Sequence, residues 1–482
     1  MNTRVIVHTL GRILAVCGFL MLLPVLVALF YQEGWDNVLA FLGPALFLML
    51  AGGLMSRRKL ANLAIYTKES MLVVALSWII MSFFGGLPFI FTGSMDSLFD
   101  AFFETVSGFT TTGASVLTDV ESLDHSVLFW RSFTHFIGGM GILVFVLAAL
   151  PRVDRRAGKI MSAEVPGPSF GKIVPRLSFT ARILYALYFV FFLVLILALV
   201  LAGMPVFDAI LHAFGTAGTG GFGIKATSVA YYDSTLINYI LITGMLIFGV
   251  NFNLYFLFFI QRDRRAFKNE ELRNYLLIVA GATALIIWNI KDQTAGLGQA
   301  LEEALFTVAS VISTTGFSIN DFNQWPEFSK VILLLLMFVG GCAGSTAGGL
   351  KVSRLTILWK SFLANTKRII HPNQAVASRM EGKQVDTAWL TTVKNYFVTY
   401  VLLFVLFVLL VSPSMGDLET ILSAVATAYN NVGPGLGEVG PAASFAQLSD
   451  WNKLVLSFAM LFGRLEIYPM LLLFSKHTWQ KI

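Results

Sequence analysis

Thr110-Thr111-Thr112-Gly113-Ala114 follows an apolar stretch too short to cross a bilayer and precedes one long enough to do so. The same placement recurs at Gly218-Thr219-Gly220-Gly221-Phe222, Ser313-Thr314-Thr315-Gly316-Phe317 and Asn430-Asn431-Val432-Gly433-Pro434. A cation-selectivity filter looks like this when its four quarters lie in one chain. The glycines at 113, 221, 316 and 433 are 108, 95 and 117 residues apart, so the repeating unit is about a hundred residues. Thirteen residues before the first three glycines stands an acid inside an aligned tripeptide: Phe99-Asp100-Ala101, Phe207-Asp208-Ala209 and Glu302-Glu303-Ala304. In the fourth copy the acid slips one place, to Glu419 beside Thr420.

Composition demands a membrane. Hydrophobic residues make up 56% of the 482 and charged residues 13%, with a mean hydropathy of +0.75, more apolar surface than a soluble chain hides. Cys17 and Cys342 both sit in apolar segments, which excludes a disulfide framework and a cysteine metal site. The six histidines (His8, His125, His135, His212, His371 and His477) have no ligand spacing, so an intramembrane hydrolase lacks its parts and no enzyme is expected. Nothing points to nucleic acid as a partner.

Apolar spans fall at Ile13 to Tyr31 and Val38 to Met55, then in pairs: 71–91 with 128–150, 179–203 with 235–260, 274–290 with 328–350, and 395–412 with 451–475. Half-helices are expected at 97–109, 206–217, 300–312 and 418–429. The chain thus divides into a hairpin, 1–60, and four modules: 61–160, 161–268, 269–385 and 386–482. Basic loops at 56–70, 151–178, 261–274 and 350–394, together with the termini, carry 27 of the 34 Lys and Arg residues. Positive-inside charge then puts both termini in the cytoplasm and opens all four filters outward. Of the acids, 19 of 28 fall on the outer side, Asp96, Asp119, Glu121, Asp124 and Asp233 among them; they either concentrate cations at the mouth or simply keep the loops polar.

A cation entering a dry constriction exchanges its water for oxygens. Glycine flanked by threonine lets carbonyls turn inward while hydroxyls add ligands. Half-helices aim their carbonyl ends at the axis, where partial negative charge favours a cation. Asp100, Asp208 and Glu303 lie near the half-helix starts, as stabilisers of those starts rather than ion ligands.

Two features lie below the filter. Gly340-Gly341-Cys342-Ala343-Gly344-Ser345-Thr346-Ala347-Gly348-Gly349 holds five glycines, more than a helix interior tolerates at about 1 kcal/mol each. It reads as an irregular loop lining a cavity, the alternative being close helix packing through small residues. Arg464 stands among apolar neighbours, where a charge costs about 2.5–3.5 kcal/mol, so it faces water or a partner. A guanidinium about 5 Å from a passing cation at an effective dielectric of about 20 repels it by about 3 kcal/mol, an electrostatic barrier. The other reading is that Arg464 ties modules together through backbone carbonyls.

These motifs, with Phe129-Trp130-Arg131-Ser132 leading to Gly138-Gly139-Met140-Gly141 and with Gly463-Arg464-Leu465-Glu466, resemble the Trk/Ktr/HKT potassium transporters over nearly the whole chain. The amino-terminal hairpin makes the TrkH subgroup the nearest. The resemblance implies an all-α integral membrane fold in which four helix–pore-loop–helix repeats surround one pore in pseudo-fourfold fashion. It also implies a homodimer in a bacterial inner membrane, and K+ held by Thr110, Thr111, Thr112, Gly113, Gly218, Thr219, Gly220, Gly221, Ser313, Thr314, Thr315, Gly316, Asn430, Asn431, Val432 and Gly433. A gate of Arg464 with Gly340, Gly341, Gly344, Gly348 and Gly349 follows from the same likeness, with no organic cofactor in this chain.

In that family four filter glycines accompany potassium permeation, and here all four are glycine. Two departures remain: Gly220 replaces the threonine of the first and third copies, and the fourth copy has no threonine, so the oxygen ring is not fourfold symmetric. Discrimination against sodium is expected to be weaker than in a filter of four identical stacks, and rubidium to pass. The cytoplasmic loops are too short to fold a nucleotide sensor. The resemblance implies a cytosolic TrkA-type ring of nucleotide-binding (NAD or ATP) subunits docking on Arg152, Arg155, Arg156, Arg262, Arg264, Arg265, Lys367 and Arg368, although positive-inside topology alone also explains those charges. The alternative function is a proton- or sodium-coupled symporter with alternating access, which predicts inverted repeats and a charged midplane site, whereas these repeats run parallel.

Overall fold

A computed structural model describes residues 3–57, 67–139, 141, 177–373 and 379–480. The hairpin is α1 (Thr3–Leu20) continuing into α2 (Leu22–Tyr31), followed by α3 (Trp35–Ser56). It packs on the first module through α4 (Thr67–Phe91) and α6 (His125–Gly139), with the pore helix α5 (Leu98–Phe109) between them. The second module has α7 (Leu177–Leu201), α8 (Val206–Gly218) and α9 (Thr235–Phe248), the last followed by the short α10 (Phe252–Tyr255) and a π-turn to Ile260. In the third, α11 (Glu270–Ile290), α12 (Leu297–Ile312) and α13 (Glu327–Val339) are followed by α14 (Val352–Ile370) and a two-residue hairpin of β1 (Arg379–Met380) and β2 (Lys383–Gln384). The fourth runs α15 (Thr387–Val411), α16 (Leu418–Asn430), α17 (Asp450–Arg464), α18 (Tyr468–Phe474) and α19 (Lys476–Trp479).

Among the described residues, Thr3–Tyr31, Trp35–Ser56, Lys68–Phe91, Arg182–Leu201, Glu270–Ile290 and Thr387–Ser414 are long and apolar enough to cross a membrane. The pore helices α5, α8, α12 and α16 are too short to do so and match the expected half-helices within a few residues. The four modules close on themselves. The second helix of each leans on the pore helix of the next: α6 on α8, α9 on α12, α13 on α16, and α17 back on α5. Two expected module boundaries, at 60 and 160, and the basic residues Arg152, Arg155 and Arg156 lie outside the described residues.

Every second helix is shorter than its apolar run. The expected continuous span at 235–260 is wrong, since the chain bends by 93° between Thr235–Phe248 and Phe252–Ile260. Carbonyl and amide groups freed at that bend find partners on the glycine string: Cys342 N–H donates to Gly249 O (2.9 Å) and Phe252 N–H to Gly344 O (3.1 Å). The span at 328–350 stops at Val339 and that at 451–475 at Arg464. Within 128–150 the helix ends at Gly139, and Met140 and 142–150 lie outside the described residues. Backbone polar groups at membrane depth must be satisfied internally, and here the breaks satisfy one another.

Candidate ion-conduction site

All four pore helices end in the same hydrogen bonds. Thr112 N–H donates to Ser107 O (2.8 Å), Gly220 to Gly215 O (2.8 Å), Thr315 to Ser310 O (2.8 Å) and Val432 to Thr427 O (2.9 Å). One residue earlier, Thr111, Thr219, Thr314 and Asn431 donate to Gly108 O, Thr216 O, Val311 O and Ala428 O at 3.1–3.3 Å. This is a Schellman end, which needs a left-handed residue after the helix. Thr111, Thr219, Thr314 and Asn431 supply it, with φ between 56° and 57°. Glycine or asparagine is the usual occupant, and a β-branched residue there is strained by about 1–3 kcal/mol.

Each filter glycine, two residues on, is also at positive φ: 83° at Gly113, 66° at Gly221, 87° at Gly316 and 109° at Gly433. Alternation of hand turns successive carbonyls to one side, the backbone requirement of a carbonyl-lined filter. The four copies meet in order. A Cβ on Gly113 would run into the Gly220 carbonyl oxygen, on Gly221 into that of Thr315, on Gly316 into that of Val432, and on Gly433 into that of Thr112. The glycines therefore allow the ring to close by backbone approach.

Several filter hydroxyls are committed to the protein. Thr110 donates to Val106 O (2.7 Å) and pairs with Thr112 Oγ1 (2.7 Å); Ser313 donates to Ala309 O (2.6 Å) and pairs with Thr315 Oγ1 (2.7 Å). Thr219 donates to Gly218 O (2.6 Å), and Asn430 Nδ2 to Ala426 O (2.8 Å). Asn431 Nδ2 bridges to Thr112 Oγ1 (2.9 Å) and Met460 O (3.0 Å), linking the fourth copy to the first. The oxygens left for an ion are chiefly backbone carbonyls.

Outside the ring, Gly113, Gly221, Gly316 and Gly433 line one vestibule of about 510 Å³, with Arg131, Lys225 and Glu438 in its wall. Asp96, Asp119 and Asp124 instead line a separate cavity of about 450 Å³ with Asp100, and Glu121 pairs with Lys225 at 3.6 Å. The acids at the half-helix starts brace modules against one another: Asp100 with Lys453 (2.6 Å) and Glu419 with Lys330 (2.9 Å). Asp208 accepts from Tyr232 Oη (2.7 Å), and Glu302 from Asn238 Nδ2 (2.7 Å). Because α12 begins at Leu297, three residues before its expected start, Glu303 lies in its second turn, where it accepts from Gln299 and Asn320.

Sequence reasoning missed the pair behind the mouth. Arg131 Nε meets Glu104 Oε1 at 2.6 Å, both side chains being almost wholly buried. Glu104 also accepts from Ser115 Oγ and Val116 N–H, and Arg131 Nη1 reaches Gly223 O. The pair thus clasps the segments that leave the first and second filters. A buried acid and base 27 residues apart, on two different helices of the first module, carry no short-range sequence signal.

Beneath the ring, Gly340 to Lys351 is a loop and not a packed helix, with positive φ at Gly340, Gly344, Gly349 and Lys351. Gly348 N–H donates to Thr314 Oγ1 (2.7 Å), and a Cβ on Gly348 would run into Asn430 O, so the loop lies against the third and fourth filter copies. Thr346 Oγ1 reaches Phe248 O, and the loop folds back as Leu350 N–H meets Phe338 O and Val352 N–H meets Gly341 O. Glu271, also missed, accepts from Ala343 N–H (2.7 Å) and Ser353 N–H (3.0 Å), fastening both limbs of the loop to α11.

Arg464 spans the same level. Its guanidinium donates to Thr346 O (2.7 Å) in the loop and to Gly138 O (2.5 Å) and Gly139 O (2.7 Å) at the end of α6. Arg464 thus ties the fourth module to the third and the first through backbone carbonyls, beneath the ring. Glu466 pairs with Arg354 and not with Arg464. Arg262, Arg264, Arg265, Lys367 and Arg368 are exposed.

Comparisons with known proteins agree with this architecture. Residues 39–481 match the TrkH family, described as cation transport protein. Over the full length of both chains, the sequence is 37% identical to the Trk system potassium uptake protein TrkH of Salmonella typhimurium and 34% identical to the Trk system potassium uptake protein TrkG of Escherichia coli. The crystal structure of the potassium transporter TrkH from Vibrio parahaemolyticus superposes with a TM-score of 0.89 at 35% identity, again covering all of both chains.

Proposed function

The chain belongs to the TrkH family of cation transport proteins, and from that premise we propose that it is the pore-forming subunit of a potassium-uptake system. Potassium passes the ring of carbonyls at Thr112, Gly220, Thr315 and Val432 and is held back by the loop and Arg464 below. The observation that carries this reading is the closure of four filter segments, from four modules, around one vestibule. A dehydrated monovalent cation needs several inward carbonyls and no full negative charge, which is what the alternating backbone offers.

Arg464 serves as both latch and barrier: its bond to Thr346 O holds the loop, its bonds to Gly138 O and Gly139 O anchor it on α6, and its charge opposes cation occupancy just below the ring. The exposed arginines at 262, 264 and 265 form part of a face for a cytosolic nucleotide-binding ring, with both termini on that side of a bacterial inner membrane. Two chains pair as a dimer.

The test is flux from the reconstituted protein in potassium-loaded vesicles, with and without an imposed proton gradient. Passive conduction predicts potassium flux without the gradient, increased several-fold by Arg464→Ala. Flux that vanishes when the proton gradient is removed would show a coupled carrier instead.

A further inference from the structure

Three filter copies carry their own polar wall, and the second does not. Thr110 and Ser313 each donate to the carbonyl four residues back and pair with the hydroxyl two residues on. Asn430 makes the equivalent bond to Ala426 O, and Tyr400 Oη donates to its Oδ1 at 2.6 Å. At the matching positions the second copy has Gly218 and Gly220. A segment with glycine at three of four filter positions has more backbone freedom than any other quarter of the ring.

That space is filled from another module. His135, on α6 of the first module, is fully buried. A Cβ on Gly218 would run into the His135 carbonyl oxygen, and a Cβ on Gly220 would meet its ring atoms Cγ, Nδ1 and Cδ2 at 2.5, 2.5 and 2.6 Å. The ring also stacks on Phe222, the residue after the filter glycine, with centroids 4.2 Å apart. Phe222 in turn carries the Arg131 guanidinium 3.7 Å from its centroid. Neither ring nitrogen of His135 has a hydrogen-bond partner among the described residues. Its contribution there is therefore the shape of a flat ring pressed on a glycine backbone.

We propose that His135 is the positioning residue of the second filter copy and sets its ion specificity: its ring takes, beside Gly220, the place that the side chains of Thr112, Thr315 and Val432 hold at the matching positions, and it fixes the Gly220 carbonyl in the ring. This rests on the filter reading above. Selectivity depends on how many carbonyls face the ion and how firmly they are held. A free Gly218–Gly221 segment lets one quarter of the ring turn away or adapt to a smaller ion, so losing the wall favours sodium.

The test is the potassium-to-sodium permeability ratio of the full-length protein in planar bilayers or vesicles. His135→Ala keeps potassium flux and lowers the ratio by at least about fivefold, the scale of one weak interaction. Gly220→Thr alone, with the imidazole still in place, also loses the ratio, because the new side chain overlaps the ring. Together, His135→Ala and Gly220→Thr restore it, because threonine at 220 then fills the vacated space with the side chain that Thr112 and Thr315 place there in the first and third copies. His135→Phe, which keeps the ring and discards the nitrogens, retains the wild-type ratio.

A wild-type ratio in His135→Ala with intact flux overturns the proposal, as does a double variant no better than Gly220→Thr alone. Should His135→Ala give no folded protein, the comparison passes to His135→Phe against Gly220→Thr. A selective former and unselective latter support the wall, and the reverse order refutes it. If the wild-type protein itself prefers no potassium over sodium, the filter reading fails, a result distinct from failure of the His135 assignment.

Discussion

Above the level of Thr111 the four modules are nearly copies; below it they diverge. Each pore helix ends in the same pair of hydrogen bonds and the same left-handed residue. The helices that follow stop differently: at Gly139, in a bend after Phe248, in a twelve-residue loop after Val339, and at Arg464. An ion on an axis needs oxygens on all sides, and on the proposed function one backbone geometry repeated four times meets that need. On the proposed function, a gate needs a single obstruction with a mechanism for withdrawal, and one module offers a loop and another a cation. The filter's strain of about 1–3 kcal/mol at each left-handed threonine is offset by fixed hydrogen bonds and burial. The loop instead rests on a few side-chain anchors, Thr314, Glu271 and Arg464 among them.

The contrast breaks most visibly if the rigid half loses its clasp. Glu104→Gln leaves Arg131 buried without its counter-charge, which should cost about 3–5 kcal/mol and lower the thermal midpoint in detergent, with selectivity falling among the molecules that fold. An unchanged midpoint would mean that water or lipid already screens this pair. Next in size is Gly113→Ser, which places a side chain at φ 83° against the Gly220 carbonyl. Strain of about 1–3 kcal/mol and a displaced carbonyl predict a clear fall in potassium preference in ion-competition flux. Retained preference would remove Gly113 from the ring.

The smallest effect sharpens the lower half. Thr314→Val keeps the shape and removes the acceptor for Gly348 N–H, leaving that buried donor unsatisfied at about 1–3 kcal/mol. The loop should leave its closed position more often, raising potassium flux several-fold with little change in selectivity. A loss of selectivity without a gain in flux would show that the hydrogen bond serves the filter and not the gate.

The upper half was largely legible in the sequence because its physics is local. Glycine spacing, short apolar runs before it and long ones after it follow from bilayer thickness and backbone freedom. What escaped was the left-handed threonine, since propensity argues against a β-branched residue there and only the closed ring holds it. In the lower half the glycine string declared itself as a loop. The bend after Phe248 did not, because Gly249-Val250-Asn251 lies in an otherwise apolar run and the break depends on Cys342 and Gly344 a hundred residues away. Separation along the chain also hid Glu271, His135 and the Glu104–Arg131 pair, whose partners lie on other modules or other elements.

Anomalous diffraction from crystals grown in rubidium, collected at the rubidium absorption edge, tests the central claim most directly. The account predicts a peak on the pseudo-fourfold axis among the carbonyl oxygens of Thr112, Gly220, Thr315 and Val432, and none beside Arg464. An empty ring, with rubidium bound instead beside Asp96, Asp119 and Asp124, would contradict it.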